Sequence, residues 1–170
     1  GTEQSGVEAS FATLFLGRRV ILTPLAETSA AAHQLIRRMW ELTGAEVVDM
    51  GVRHHDAVLA ATSHLPHMLA YTLVDTLARL DDRAEIFRYA AGGFRDFTRI
   101  ASSDPQMWHD ICVANREQLL EMIALFNADL ERLAGAIRAD DRAAILATFQ
   151  RAKRARDNLY LEPSLPHAAP

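Results

Sequence analysis

The feature that most narrows the fold is a change of texture near residue 50. Before it, "RRVILTP" at 18–24 and "AEVVDM" at 45–50 are short aliphatic runs of strand type. Between them apolar residues recur at helical spacing over 30–42, until Gly44 ends the pattern. A parallel sheet repeats this strand, helix, strand rhythm, and here only its last members are present. No strand-like run follows. A chain with this order folds as a mainly α protein, a helical body preceded by the last β-α-β portion of an α/β domain. The expected division is an α/β remnant over 1–50, an all-helical domain over 51–160 and a disordered tail over 161–170, where "EPSLPHAAP" has little to bury. The chain opens without a methionine, at "GTEQSGVEAS", in a phrase that reads as mid-protein, so the sequence is expected to be a fragment.

In the helical part, Val58, Leu59, Leu65, Leu69, Leu73, Leu77 and Leu80 fall three and four apart, which predicts one long helix over 53–80. Pro66 lies inside it and should kink or loosen it around 63–67, because proline removes a backbone donor. A shorter helix is expected over 84–90, then a break at Gly92 and Gly93. "SSDP" starts the next helix, with Ser103 or Asp104 as cap and Pro105 in the first turn. The apolar pattern from Trp108 to Ile137 predicts a single helix over 105–139. At a helical rise this is about 50 Å long, too long for a compact monomer, so its apolar stripe is expected to meet a second subunit. A last helix is predicted over 141–159.

Composition removes several classes of function. With 49% hydrophobic and 24% charged residues the chain has the make-up of a globular protein. Its apolar runs are shorter than the roughly 18 residues needed to span a bilayer, so no membrane partner is expected. One cysteine, Cys112, excludes a disulfide framework and a multi-cysteine zinc site and suits the cytoplasm. A formal net charge of −4 with interspersed signs offers no nucleic-acid face.

Three stretches have the residue types that chemistry needs. In "SHLPH", His64 and His67 share one helix face and suit a metal or an anionic ligand. Taken alone, histidines at this spacing are more often ordinary core or surface residues. A metal is the weaker option, because the nearest further candidates, "RHHD" at 53–56, are too far along the helix to close around one ion. In "GGFRDFTR", Gly92 and Gly93 permit a backbone geometry or close approach forbidden to other residues, and Arg95, Asp96 and Arg99 follow at helical spacing. Arg99 suits a bidentate pair with a carboxylate; a solvated helix break is the plain alternative. Phe94 and Phe97 alternate with those charges, so one side can anchor in a core while the other faces a cavity. Trp108 in "DPQMW" is most simply a core anchor, with ligand stacking as its minor reading.

Together, "GTEQSGVEAS", "SHLPHMLAYTLVD" and "AGGFRDFTRIASSDPQMWHDI" resemble the prephenate dehydrogenase family, whose variants are called arogenate or cyclohexadienyl dehydrogenases. The resemblance covers residues 1–158 in order. It implies an N-terminal Rossmann domain and a C-terminal helical domain that dimerises, with the active site in the cleft between them. It also implies NAD or NADP as cofactor, held mainly by the Rossmann domain, prephenate or arogenate as substrate, and a homodimer. By motif, Arg99 matches an arginine that pairs with a substrate carboxylate, His67 faces the substrate pocket, and His64 supports it. Glu3, Asp96 and Arg99 match a charged network at the pocket mouth, to which Gly92 contributes backbone. The sequence departs from the family in two respects: the family's catalytic histidine falls just ahead of Gly1, and the GxGxxG fingerprint is absent. The implied reaction is the NAD(P)-dependent oxidative decarboxylation of prephenate to 4-hydroxyphenylpyruvate in tyrosine biosynthesis, with this chain alone inactive. The alternative is a helical dimerisation or ligand-binding module without catalysis.

Overall fold

A computed structural model describes residues 6–158. Glu3 and the tail at 161–170 lie outside these residues. The chain divides into two compact units, Gly1–Met122 and Ile123–Pro170.

The first unit opens with the expected β-α-β arrangement. Strand β1 (Arg19–Leu22) pairs in parallel with β2 (Glu46–Asp49), with Val20 opposite Val47, and helix α1 (Ala30–Glu41) lies between them in sequence. Ser29 caps α1 by accepting from the Ala32 amide. Gly44 takes the left-handed conformation (φ +81°) that lets the chain turn from α1 into β2, a geometry that glycine adopts without steric cost. Polar clips hold α1 on β2. His33 Nε2 lies 2.8 Å from Asp49 Oδ1, Arg37 Nη2 lies 2.6 Å from Asp49 Oδ2, and Arg37 Nη1 donates to the Val47 carbonyl at 3.0 Å. The hydrogen bond to His33, followed by that to Arg37, holds the Asp49 carboxyl below its usual range. The sequence suggests a buried β1, whereas Val20, Ile21 and Leu22 are only half-buried in a two-stranded sheet.

The helical part is interrupted at two junctions, the first close to the kink expected from Pro66 and the second unexpected. In place of one helix over 53–80 there are α2 (Val52–Leu59), a π-turn (Ala60–His64) and α3 (Leu65–Ala78). The disturbance lies mostly before Pro66, because the missing donor and the ring's clash with the carbonyl four residues back fall on the preceding turn. In place of one helix over 105–139 there are α6 (Pro105–Ala114) and α7 (Arg116–Arg138), broken at Asn115 (φ −109°, ψ 36°). Asp104 is the cap that starts α6, accepting from the amides of Gln106 and Met107. Between α3 and α6 lie α4 (Arg83–Arg88), α5 (Gly92–Thr98) and a 3-10 turn (Arg99–Ser102). Gly92 and Gly93 begin α5 and do not break a helix. Neither has positive φ, and a Cβ at either would meet nothing, so local geometry does not require glycine there.

Among the described residues, the buried apolar set is Ala60, Leu65, Ala70, Trp108 and Leu119, with His64 and Asn115 buried beside them. All belong to the first unit. The second unit contains the rest of α7 and helix α8 (Arg142–Asn158), joined by a turn in which Asp140 takes φ +50° and Asp141 caps α8 through the Ala144 amide. The two helices leave a groove of about 660 Å³ between residues such as Leu133, Ala136, Ala144 and Thr148. Leu125, Leu130, Ile137, Leu146 and Phe149 are exposed. No helix among the described residues is long and apolar enough to cross a membrane.

Candidate active site

The junction of α2, α3 and α6 brings together two histidines, a tryptophan and an asparagine. His64 is the last residue of the π-turn, and its ring is buried. Asn115 reaches it from the break between α6 and α7, with Nδ2 3.1 Å from His64 Nδ1 and 2.8 Å from the Asp56 carbonyl oxygen. The Asn115 N–H and carbonyl keep helical bonds to Ile111 and Leu119, so its side chain makes these contacts in addition. Burial pushes the His64 pKa down, the neighbouring charges of His55 and His67 act in the same direction, and Asp56 opposes them.

His67, one turn into α3, donates from Nδ1 to the Ser63 carbonyl at 2.8 Å. Its ring stacks on Trp108, with centroids 3.6 Å apart and planes 20° from parallel, while His64 meets the same indole edge-on at 6.2 Å. Two polar atoms are left over. His67 Nε2 and Trp108 Nε1 are both buried with no hydrogen-bond partner among the described residues. Buried polar atoms are nearly always satisfied, so two on stacked rings mark a place where a ligand or water completes the bonding. Trp108 is therefore a core anchor whose indole N–H remains available.

The remaining candidates sit elsewhere in the first unit. Arg99 opens the 3-10 turn after α5, and Gly92, Asp96 and Arg99 are all exposed. The expected charged network is not formed among the described residues: neither Arg99 nor Asp96 has an ion pair there, and Glu3 lies outside them. The turn is nonetheless tied to α3, since the Tyr71 hydroxyl donates to the Ser103 carbonyl at 2.6 Å. At the same junction Cys112 Sγ lies 3.0 Å from Met68 Sδ, and burial raises the thiol pKa, which makes it inert packing.

Residues 52–151 match the family model described as "Prephenate dehydrogenase, dimerization domain", and residues 1–49 match "Prephenate dehydrogenase, nucleotide-binding domain". The first match alone covers more than half of the chain. The chain belongs to the prephenate dehydrogenase family. Among its relatives, a cyclohexadienyl dehydrogenase of Zymomonas mobilis is 44% identical over 92% of this chain and 54% of its own length. A prephenate dehydrogenase of Bacillus subtilis is 35% identical over 95% of this chain and 44% of its own. A crystal structure of prephenate dehydrogenase from A. aeolicus, in complex with hydroxyphenyl propionate and NAD+, superposes with a TM-score of 0.85 at 40% identity. It covers 94% of this chain and 56% of that one. The chain thus spans about half the length of the prephenate dehydrogenases it matches.

The nicotinamide nucleotide of such enzymes has no cradle in these residues. A pyrophosphate needs a glycine-rich turn between a strand and a helix N-terminus. The turn after β1 contains no glycine, and the turn after β2 has only Gly51. The described residues contain no such glycine-rich turn.

Sequence reasoning missed Asn115. An asparagine followed by "RE" inside an apolar helical pattern far longer than an ordinary helix was the available signal, because asparagine favours breaks and helix starts.

Proposed function

We propose that the protein containing this chain is a prephenate dehydrogenase that oxidatively decarboxylates prephenate, or its amino analogue arogenate, with NAD or NADP as oxidant, in the cytoplasm. The observation that carries this reading is the buried, unpartnered Nε2 of His67, stacked on Trp108 and flanked by His64, in a chain of this family. A compact oxygen-rich substrate supplies the missing partners. In the reaction the ring carboxylate leaves as carbon dioxide while a hydride leaves C4, and aromatisation drives the step to 4-hydroxyphenylpyruvate.

The roles assigned to this chain are binding and orientation. Arg99, exposed and without an ion pair among the described residues, offers a guanidinium fork that matches a carboxylate. His67 presents Nε2 to a substrate hydroxyl, His64 lies against the same indole, and Gly92, Asp96 and Glu3 are assigned to the pocket mouth by motif. Holding the substrate in one orientation supplies much of the barrier reduction for such a step. No residue here is assigned the role of proton acceptor. Residues 1–50 belong to the nucleotide-binding domain, 51–160 to the helical domain that holds substrate and dimerises, and the exposed leucines of α7 and α8 face a second copy.

The test is turnover by the product of the complete open reading frame. With prephenate or arogenate and NAD+ or NADP+, it should form reduced nucleotide, carbon dioxide and the aromatic product in equal amounts. The 170 residues alone should form none. No turnover of either substrate by the complete protein would leave a non-catalytic helical module as the function.

A further inference from the structure

We infer that Asn115 is a positioning residue that fixes the proton of His64 on Nε2, so that the two histidines of "SHLPH" present opposite polarity to a ligand. The starting point is the Asp56 carbonyl, which can only accept. The side-chain atom of Asn115 that lies 2.8 Å from it is therefore the amide nitrogen, and this assigns the amide orientation independently of the histidine. Of the two hydrogens on that nitrogen, one goes to Asp56 and the other faces His64 Nδ1 at 3.1 Å. Nδ1 must then be the lone-pair acceptor. The single proton of the neutral ring is left on Nε2, which has no protein partner among the described residues.

His67 obeys the same logic with the opposite outcome. Its Nδ1 faces the Ser63 carbonyl, another group that only accepts, so Nδ1 carries the proton and Nε2 of the neutral ring is an acceptor. The indole of Trp108 touches both rings and adds an unpartnered N–H donor. A ligand here meets one acceptor, His67 Nε2, and donors at His64 Nε2 and Trp108 Nε1. A hydroxyl beside a carbonyl or carboxylate oxygen satisfies this pattern.

Asn115 also opposes protonation of His64, since an imidazolium would bring a second N–H against the amide N–H. The groups facing the ring act alongside it: His55 and His67 disfavour its charge and Asp56 favours it.

That the donor meets substrate rests on the dehydrogenase reading; the tautomer does not. The experiment is therefore begun without substrate, by long-range proton–nitrogen correlation on [15N]histidine-labelled complete protein, with His64 assigned by loss of its signals in His64→Gln. Wild type should show His64 unprotonated at Nδ1 and protonated at Nε2 at neutral pH. Asn115→Asp places a carboxylate against Nδ1 and should move the proton to Nδ1 or hold the ring as imidazolium, raising its titration midpoint by about one unit or more. A wild-type His64 protonated at Nδ1 overturns the inference without any variant being needed. So does an Asn115→Asp protein that folds and leaves the His64 spectrum unchanged. In steady-state kinetics, Asn115→Asp should raise KM for prephenate roughly tenfold with a smaller change in kcat, and Asn115→Ala should lie between it and wild type. An Asn115→Ala enzyme with a lowered Tm but unaltered KM and pH profile would make the residue merely structural.

Discussion

The α2–α3–α6 junction and the α7–α8 pair are both helical and both amphipathic, yet they leave opposite things unsatisfied. The junction buries its apolar side chains within this chain and has polar atoms left over, His67 Nε2 and Trp108 Nε1. From Ile123 onward no described residue is buried, and what is left over is apolar: Leu125, Leu130, Ile137, Leu146 and Phe149. Orphaned polar atoms in an otherwise closed core call for a small ligand. Orphaned leucines along two helices call for another protein surface, which the proposed function takes to be a second copy.

The largest effect should come from charging the second region. The complete protein should sediment at twice its chain mass, and Leu130→Glu with Ile137→Glu should weaken association at least about a hundredfold, because each side chain loses roughly 1.5–3 kcal/mol of burial. A double variant that still sediments as a tight dimer would move the interface off α7. Truncating the junction acts on folding instead. Trp108→Ala should cost about 3–5 kcal/mol in denaturant unfolding, whereas Phe149→Ala, in dimer-dissociating conditions, should cost far less. Equal losses at the two positions would erase the distinction between a closed core and an open face.

A smaller effect concerns acid. The folded state holds the His64 pKa below its usual value, so the unfolded chain takes up the proton first. Stability contributed by neutral His64 is therefore complete above the unfolded value of about 6.5 and declines as pH falls below it, levelling off beneath the folded pKa. Melting temperatures recorded between weakly acidic and neutral pH should fall with acid in wild type and fall less in His64→Gln. An identical slope in both proteins would place the acid sensitivity elsewhere.

Much of this was legible in the sequence. The β-α-β opening, the Ser103–Pro105 helix start and the general helical texture follow from spacing, turn residues and caps, all of which are local properties. The helix expected over 105–139, and the long-range contact that Asn115 makes within it, show where local reasoning stops. Hydrophobic period runs straight through His64 and Asn115, because both sit on the inward face that an uninterrupted helix would also bury. Asn115 meets His64 across 51 positions of sequence, a contact that no local pattern reveals. The glycines at 92 and 93 mislead in the other direction, since none of the described residues crowds them. The pairing of His67 with Trp108 was invisible for the same long-range reason, although each residue was singled out on its own.

The central claim of the proposal is that the helical part of this chain binds the substrate through Arg99, and the Arg99 kinetics of the complete enzyme test it most directly. A charge-assisted pair to a desolvated carboxylate contributes on the order of 1.5–3 kcal/mol, so Arg99→Ala should raise KM for prephenate roughly ten- to a hundredfold. KM for the nicotinamide nucleotide should scarcely move. Arg99→Lys should recover only part of the loss, because an ammonium lacks the bidentate fork, and Arg95→Ala should be nearly silent. Equal losses from Arg95→Ala and Arg99→Ala, or a loss at Arg99 that follows a lowered melting temperature, would contradict the account and return "GGFRDFTR" to a solvated helical turn.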